Sequence, residues 1–491
     1  MTGLTTGLAA GLLMRLLRLV QHAAWTYRGG PFLDAVEKTT GPARVAILAA
    51  TGLFVAVVLL LLGLRKSRHS NALEATIWYR DGALTTWRTT VRALFSIIVV
   101  GLGASLGREA APKQAGALIG SLLATWRDLP PSQRRLLAAC GAGAGIAAVY
   151  NVPFAGALFA LEVLLGSLSM LLVAPAFVAT LTATGSAWLL LPNEPTYHLP
   201  AMPLSFGLVV WAIVFAPIAG VASAWFVKLI AFVGARKPKG MMIVPTAICV
   251  FAALGALAIP FPQLLGNGKN AVELAALDRL ALPLMLALVL LKPLVTIGCL
   301  GTGAPGGLFT PTLATGALLG GVCGHLWMSV WPESAPGAFA LVGAGALLAG
   351  TTKGPISSLA FMVELTHRIE PLMLPMMIGI GGAVSVSHLI DRRSTYTSRI
   401  KPITSLRDCV IDAGLAVDAE AIFAVSAVTR YGDLLSYCLT ASAQDHIFVV
   451  DDSGRVVGKI ARGDVVAPEA RFGPLEISTA TDFIRIRNAT V

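Results

Sequence analysis

The sequence predicts an all-α integral membrane protein whose helices are broken near the midplane and whose two halves repeat one another, followed by a small α/β tail. Three observations lead there: an apolar composition, apolar stretches long enough to cross a bilayer, and an ungapped internal repeat. Of 491 residues, 56% are hydrophobic and 13% charged, which is too apolar for an ordinary soluble chain of this size.

Four stretches, Ala43–Leu64, Phe206–Phe232, Met241–Ile259 and Leu282–Leu300, are long enough to span the hydrocarbon core as helices. Others are short and interrupted by Gly or Pro. Unwound backbone is tolerated at membrane depth only where it lines a cavity or is buried in protein, so the interrupted segments mark the place of a polar substrate. The N-terminal MTGLTTGLAAGLLMRLLRLVQ reads as a first membrane helix rather than a removable signal, because Arg15 and Arg18 interrupt the apolar run and no small-residue cleavage site follows.

The formal charge of +11 is unevenly distributed. Residues up to 402 hold 29 basic and 14 acidic side chains, and those from 403 onward hold 8 and 12. The basic clusters Arg65, Lys66 and Arg68, then Arg236, Lys237 and Lys239, then Arg392, Arg393, Arg399 and Lys401 flank apolar stretches. The positive-inside rule therefore places these loops and the C-terminus in the cytoplasm. No basic stripe interleaves with exposed aromatics, which argues against nucleic acid as a partner. The cysteines, Cys140, Cys249, Cys299, Cys323, Cys409 and Cys438, form no C-x-x-C, so neither a metal knot nor a disulfide frame is indicated.

The repeat is direct. GAGAGIAAVYNVPFAGALFALE, from Gly141 to Glu162, aligns without a gap on GAGALLAGTTKGPISSLAFMVE, from Gly343 to Glu364. Gly141 and Gly343, Pro153 and Pro355, and Glu162 and Glu364 each stand 202 residues apart. Upstream, GALIGS at Gly116 resembles GALLGG at Gly316. Small-residue runs alone let helices pack closely, but they give no reason for a Pro and a Glu to recur in register. Halves of about 1–200 and 201–400 follow, and duplicated halves of this kind meet at the midplane and point helix N-termini at an anion.

Just before each Gly-rich helix lies a junction, GREAAPKQ at 107–114 and GAPGGLFTPT at 303–312. Here one helix breaks and another starts, and its first turn offers unpaired N–H groups and the positive end of a dipole. Such an end binds anions through partial charges, weakly enough to let them leave. Glu109 stands at the first junction. While ionised, its carboxylate competes with the anion; protonated, it withdraws. The alternative is a structural pair between Glu109 and neighbouring Arg108.

At these residues the chain resembles the CLC family of chloride channels and chloride/proton antiporters, over about residues 3–400 and in its prokaryotic form. GREAAPKQ resembles the family's GREGP segment, NVPFAGALFALE its N-A-P-x-A-G-x-x-F-x-x-E segment, and GAPGGLFTP its G-x-x-P-G-G-x-F-x-P segment. The resemblance implies an inverted-repeat fold in a bacterial inner membrane and a homodimer with one pore per subunit. It implies Glu109 as the gate, chloride held by the N–H groups of Leu308 and Phe309, and Tyr396 as the pore tyrosine on the inner side. Ser70, in RHSNALE, takes the place of the pore serine, without the glycines and proline usual there.

Three positions depart from the family pattern or bear on the gate. Arg108 flanks Glu109. Lys113 adds a full charge to the first turn after Glu109, either facing the passage and deepening anion attraction or snorkelling away from it. Val163 stands where proton-coupled members carry a second glutamate. A valine relays no proton, so passive, proton-gated chloride conduction is expected, with chloride/proton exchange as the alternative and another small or organic anion as a further one.

Residues 401–491 form the tail. HIFVVDDSGRVVGKI at 446–460 has strand-like runs around an Asp-Ser-Gly turn. It resembles one repeat of a CBS module, over about residues 421–467, a module that often binds adenine nucleotides in pairs of repeats. An enzyme is not expected. Gly103-Ala104-Ser105-Leu106-Gly107 fits G-x-S-x-G literally, but it follows an apolar helix and has no histidine partner motif. An organic-anion carrier would need a large pocket and an Arg clamp, for which the sequence offers only helix ends and a tyrosine.

Overall fold

The computed structural model describes residues 1–27, 29–61, 73–79, 82–332, 335–367, 370–399, 424–426, 446–450 and 456–461. Ser70 lies outside them, as does most of the CBS-like segment.

The first half contains α1 (Thr2–Trp25), α2 (Phe32–Lys38), α3 (Gly41–Leu61), α4 (Leu73–Tyr79), α5 (Thr86–Gly101), α6 (Ala110–Trp126), α7 (Pro131–Tyr150), α8 (Pro153–Leu158) and α9 (Met170–Ala187). Helix α8 runs on into a π-helix, Phe159–Leu165. The second half contains α10 (Phe206–Ala235), α11 (Ile243–Leu257), α12 (Lys269–Ala276), α13 (Leu282–Thr302), α14 (Phe309–Met328), α15 (Pro336–Thr352), α16 (Pro355–Thr366) and α17 (Met373–Ile390). Among the described residues, seven helices are long and apolar enough to cross a membrane: α1, α3, α9, α10, α11 with the turn before it, α13 and α17. By contrast the 12 residues of α16 span only about 18 Å of a core about 30 Å thick. Such helices end inside the membrane, where only protein can satisfy their termini.

The repeat explains how they end there. Helix α7 stops at Asn151, in the left-handed region at φ 58°, and α15 stops at Lys353, at φ 61°. Each is followed by a Pro at the first turn of the next helix, Pro153 or Pro355. Proline there loses no hydrogen bond and presets the helical φ. The glycines aligned in sequence also do the same work twice. A Cβ on Gly116 would lie 2.0 Å from Gly141 O, and one on Gly316 would lie 2.5 Å from Gly343 O. Helices α6 and α7, and likewise α14 and α15, touch backbone to backbone where any side chain would wedge them apart.

The halves interlock as an inverted pair. Helix α3 packs on α11, and α8 on α16. Between the last two the contact is reciprocal. Glu162 accepts the N–H groups of Ile356 and Ser357 at 3.0 and 2.7 Å, and Glu364 accepts those of Phe154 and Ala155 at 3.0 and 2.6 Å. Each half caps a short helix of the other with its own repeated glutamate. Exchange of identical contacts in this way requires a two-fold relation between the halves.

In the tail, β1 (Ala424–Ser426) pairs parallel with β2 (His446–Val450), which pairs antiparallel with β3 (Val456–Ala461) in the register His446 to Ala461. The strand pair expected around Asp-Ser-Gly is present.

Candidate functional site

The two junctions read from sequence meet. Helix α5 ends at Gly101 and α13 at Thr302, and each leads into a loop that turns at a glycine, Gly103 at φ 101° and Gly303 at φ 97°. The loops then exchange two hydrogen bonds: Gly107 N–H donates to Gly307 O at 2.8 Å, and Gly307 N–H to Gly107 O at 2.9 Å. This antiparallel bridge joins equivalent residues of the two halves and brings the starts of α6 and α14 together.

Glu109, 3% exposed, stands just before α6 and sends its carboxylate to α14. Oε1 accepts the Phe309 N–H at 2.8 Å, one of the donors that a helix start leaves unpaired. Oε2 accepts the Tyr150 hydroxyl at 3.1 Å and a longer contact from Thr310 Oγ1 at 3.4 Å. Tyr150 and Thr310 also bond each other at 2.6 Å. A Cβ on Gly107 or Gly307 would come within 2.0 or 1.9 Å of Oε1, so the carboxylate lies in a cradle that only glycine leaves open. The carboxyl group thus occupies a helix end lined by neutral donors, and among the described residues no lysine or arginine bonds either oxygen. Arg108 instead places its guanidinium 5.1 Å from the centroid of the Tyr150 ring, so the neighbouring-pair reading of Glu109 gives way to the cradle.

Of the two expected anion-binding residues on α14, Phe309 presents its N–H to the carboxylate. Leu308, buried, is the residue before that helix. From here a run of aromatic rings leads away: Tyr150 to Phe309 at 5.7 Å between centroids, Phe309 to Phe361 at 4.5 Å, Phe361 to Phe159 at 6.3 Å, and Phe159 to Tyr396 at 5.8 Å. Glu109 and Tyr396, 287 residues apart in sequence, therefore sit at the two ends of one aromatic wall drawn from both halves.

Tyr396 follows α17 on a tightly tied turn. Asp391 accepts the Arg393 backbone N–H at 2.9 Å and two guanidinium N–H groups at 3.0 and 2.8 Å. The Arg393 guanidinium beside it holds the Asp391 carboxyl below the usual carboxylate range. Thr395 N–H donates to Thr351 O at 2.9 Å, and Tyr396 N–H to Ser394 Oγ at 3.2 Å. Lys113 pairs with Glu74 of α4 at 2.7 Å and stands over the Tyr396 ring at 4.7 Å. It neither approaches the Glu109 carboxylate nor reaches out to solvent. Val163 is buried in the π-helix, beside Glu162, whose two oxygens are both engaged on α16.

Tyr150, Thr310 and Glu74 were not singled out from sequence. Tyr150 had a signal, since it is the one tyrosine in the repeat and its counterpart is Thr352. Glu74 had none, because its partner lies 39 residues away.

A helical membrane fold of two inverted halves, with a carboxylate seated on a neutral helix end, defines a protein that passes small anions through the membrane. The chain belongs to the voltage-gated chloride channel family, whose model matches residues 47–388. It is 35% identical over 350 residues, 66% of this chain and 80% of the relative, to a chloride channel protein described as ClcB-like from Ralstonia nicotianae. It is 28% identical, over 63% of this chain and 69% of the relative, to the H(+)/Cl(-) exchange transporter ClcA of Vibrio parahaemolyticus. Its fold matches that of a slow cyanobacterial Cl-/H+ antiporter with a TM-score of 0.70, at 21% identity over 81% of this chain and 94% of the other.

Proposed function

We propose that this chain conducts chloride passively, with Glu109 as a gate that protonation opens. The observation that supports this most is the seat of the Glu109 carboxylate on the Phe309 N–H at 2.8 Å, within the glycine cradle. An ionised carboxylate there holds the place of the permeating anion. Protonation removes its charge and the charge-assisted hydrogen bond, and the seat passes to chloride. Chloride then lies on the N–H groups of Leu308 and Phe309, with Tyr396 at the inner side; Ser70, outside the described residues, is the serine the sequence offers for chloride. Arg108 modulates the gate through the Tyr150 ring.

Passive flow rather than exchange is favoured by Val163, which relays no proton, and by Glu162, which is committed to capping α16. Exchange is the second reading, and one observation favours it: the buried Glu109 carboxylate contacts the Tyr150 and Thr310 hydroxyls, groups able to pass a proton on. Reconstitution into liposomes with a chloride gradient, following chloride and proton movement together, separates the two. Passive conduction gives chloride efflux with no uphill proton movement. Proton transport driven by the chloride gradient overturns it.

In this reading two copies associate, each with its own path, in the bacterial inner membrane with the tail in the cytoplasm. The strands of the tail suit a CBS-like module, and adenine nucleotide is the ligand to try on it.

A further inference from the structure

We infer that the Lys113–Glu74 ion pair positions the Tyr396 ring at the inner end of the anion path and thereby sets which anions pass it. The inference rests on the proposed chloride path, and specifically on Tyr396 standing at its inner side.

Lys113 lies one helical turn beyond the gate: its N–H donates to Glu109 O at 3.1 Å. The two side chains nevertheless diverge. The carboxylate goes to α14, and the ammonium goes to Glu74 and the face of Tyr396. The side chains of Lys113 and Glu74 are each 12% exposed, and an ammonium so enclosed requires a close counter-charge. Glu74 supplies it at 2.7 Å and in doing so fixes where the ammonium can be. A cation fixed 4.7 Å from the ring centroid attracts the π face and opposes its rotation.

Other contacts hold the ring from a second side. Phe159 meets it edge-on, at 5.8 Å and 69°. The backbone of Tyr396 is tied through Ser394, and that of Thr395 to Thr351. Phe159 belongs to the π-helix, and α4, the helix of Glu74, is fastened to that same π-helix by the Trp78 indole N–H donating to Leu164 O. Glu74 and Trp78 are one turn apart on α4. A closed circuit results, running from α4 through the π-helix and Phe159 to Tyr396, and back through Lys113 to Glu74. The ring is held on its face and its edge by groups whose own positions are referred to one another. Backbone ties alone would leave its torsions free, whereas this circuit fixes the width beside it.

The test uses full-length protein in liposomes and compares efflux of chloride, nitrate and thiocyanate. Lys113→Met is expected to raise the thiocyanate-to-chloride ratio at least about threefold, the range expected for losing one cation–π contact. Glu74→Gln should move it in the same direction, and Lys113→Arg, which keeps a cation over the ring, should restore the native ratio. In a Tyr396→Ala background, Lys113→Met should change nothing further. An unchanged ratio in Lys113→Met, or an equal effect with and without the ring, overturns the inference. If wild-type protein moves no anion at all, it is the chloride reading that fails. The contact is then read by the same cycle on thermal unfolding in detergent, where loss of stability from Lys113→Met must shrink in the Tyr396→Ala background. Additive losses there overturn the positioning role independently of transport.

Discussion

At the scale of single residues, the proposed gate makes Glu109 both plug and sensor, because the Phe309 N–H that seats its carboxylate is also the donor proposed for chloride. Glu109→Gln removes the charge at every pH. Chloride efflux from liposomes should therefore rise at neutral pH and lose its dependence on acidity. A pH profile that survives the substitution would place the gate elsewhere. Tyr150 contributes in the same sense, since its hydroxyl holds Oε2 at 3.1 Å. Tyr150→Phe loosens the seated carboxylate, and efflux at neutral pH should rise by about ten- to a hundredfold, as expected for one hydrogen bond to a charged group. Glu109 could be picked out of the sequence because an acid at a broken membrane helix has few structural explanations. The partners of Lys113 could not be read, because nothing local in the sequence says which way a lysine at a helix start will turn.

At the scale of elements, the short helices α8 and α16 each have two first-turn N–H groups satisfied by a glutamate of the opposite half, Glu364 and Glu162. Glu364→Gln and Glu162→Gln should each lower stability by about 1–3 kcal/mol, the cost of weakening a charge-assisted cap in a semi-buried place. Matching losses in thermal unfolding would confirm the reciprocal arrangement, whereas a loss in only one variant would contradict it. These elements were the most legible part of the chain. The ungapped register of Gly141 with Gly343 and Glu162 with Glu364 encodes the close helix pairs and the caps together. What the register did not show was that each glutamate serves the other half, since a repeat alone says nothing about how its two copies face. The π-helix at Phe159–Leu165 was equally hidden, because it differs from an α-helix only in hydrogen-bond spacing.

At the scale of the whole molecule, the basic excess up to residue 402 and the acidic tail beyond it underlie the proposed orientation, with the tail in the cytoplasm. In inside-out vesicles a protease should remove an epitope tag from the C-terminus, and in right-side-out cells it should not. The reverse pattern would invert the assignment of inner and outer mouths. Ser70 and the tail turn fall outside the described residues, so sequence remains the source for both. The bridge between Gly107 and Gly307 has a mechanical meaning at this scale. Two hydrogen bonds at the centre bolt the halves together where a rocking carrier would need them to part. In the proposed gate, opening then demands no hinge and no relative travel of rigid bodies. On that proposal it is a torsion of the single Glu109 side chain, and the clock of the gate is set by the arrival of a proton rather than by the inertia of the fold.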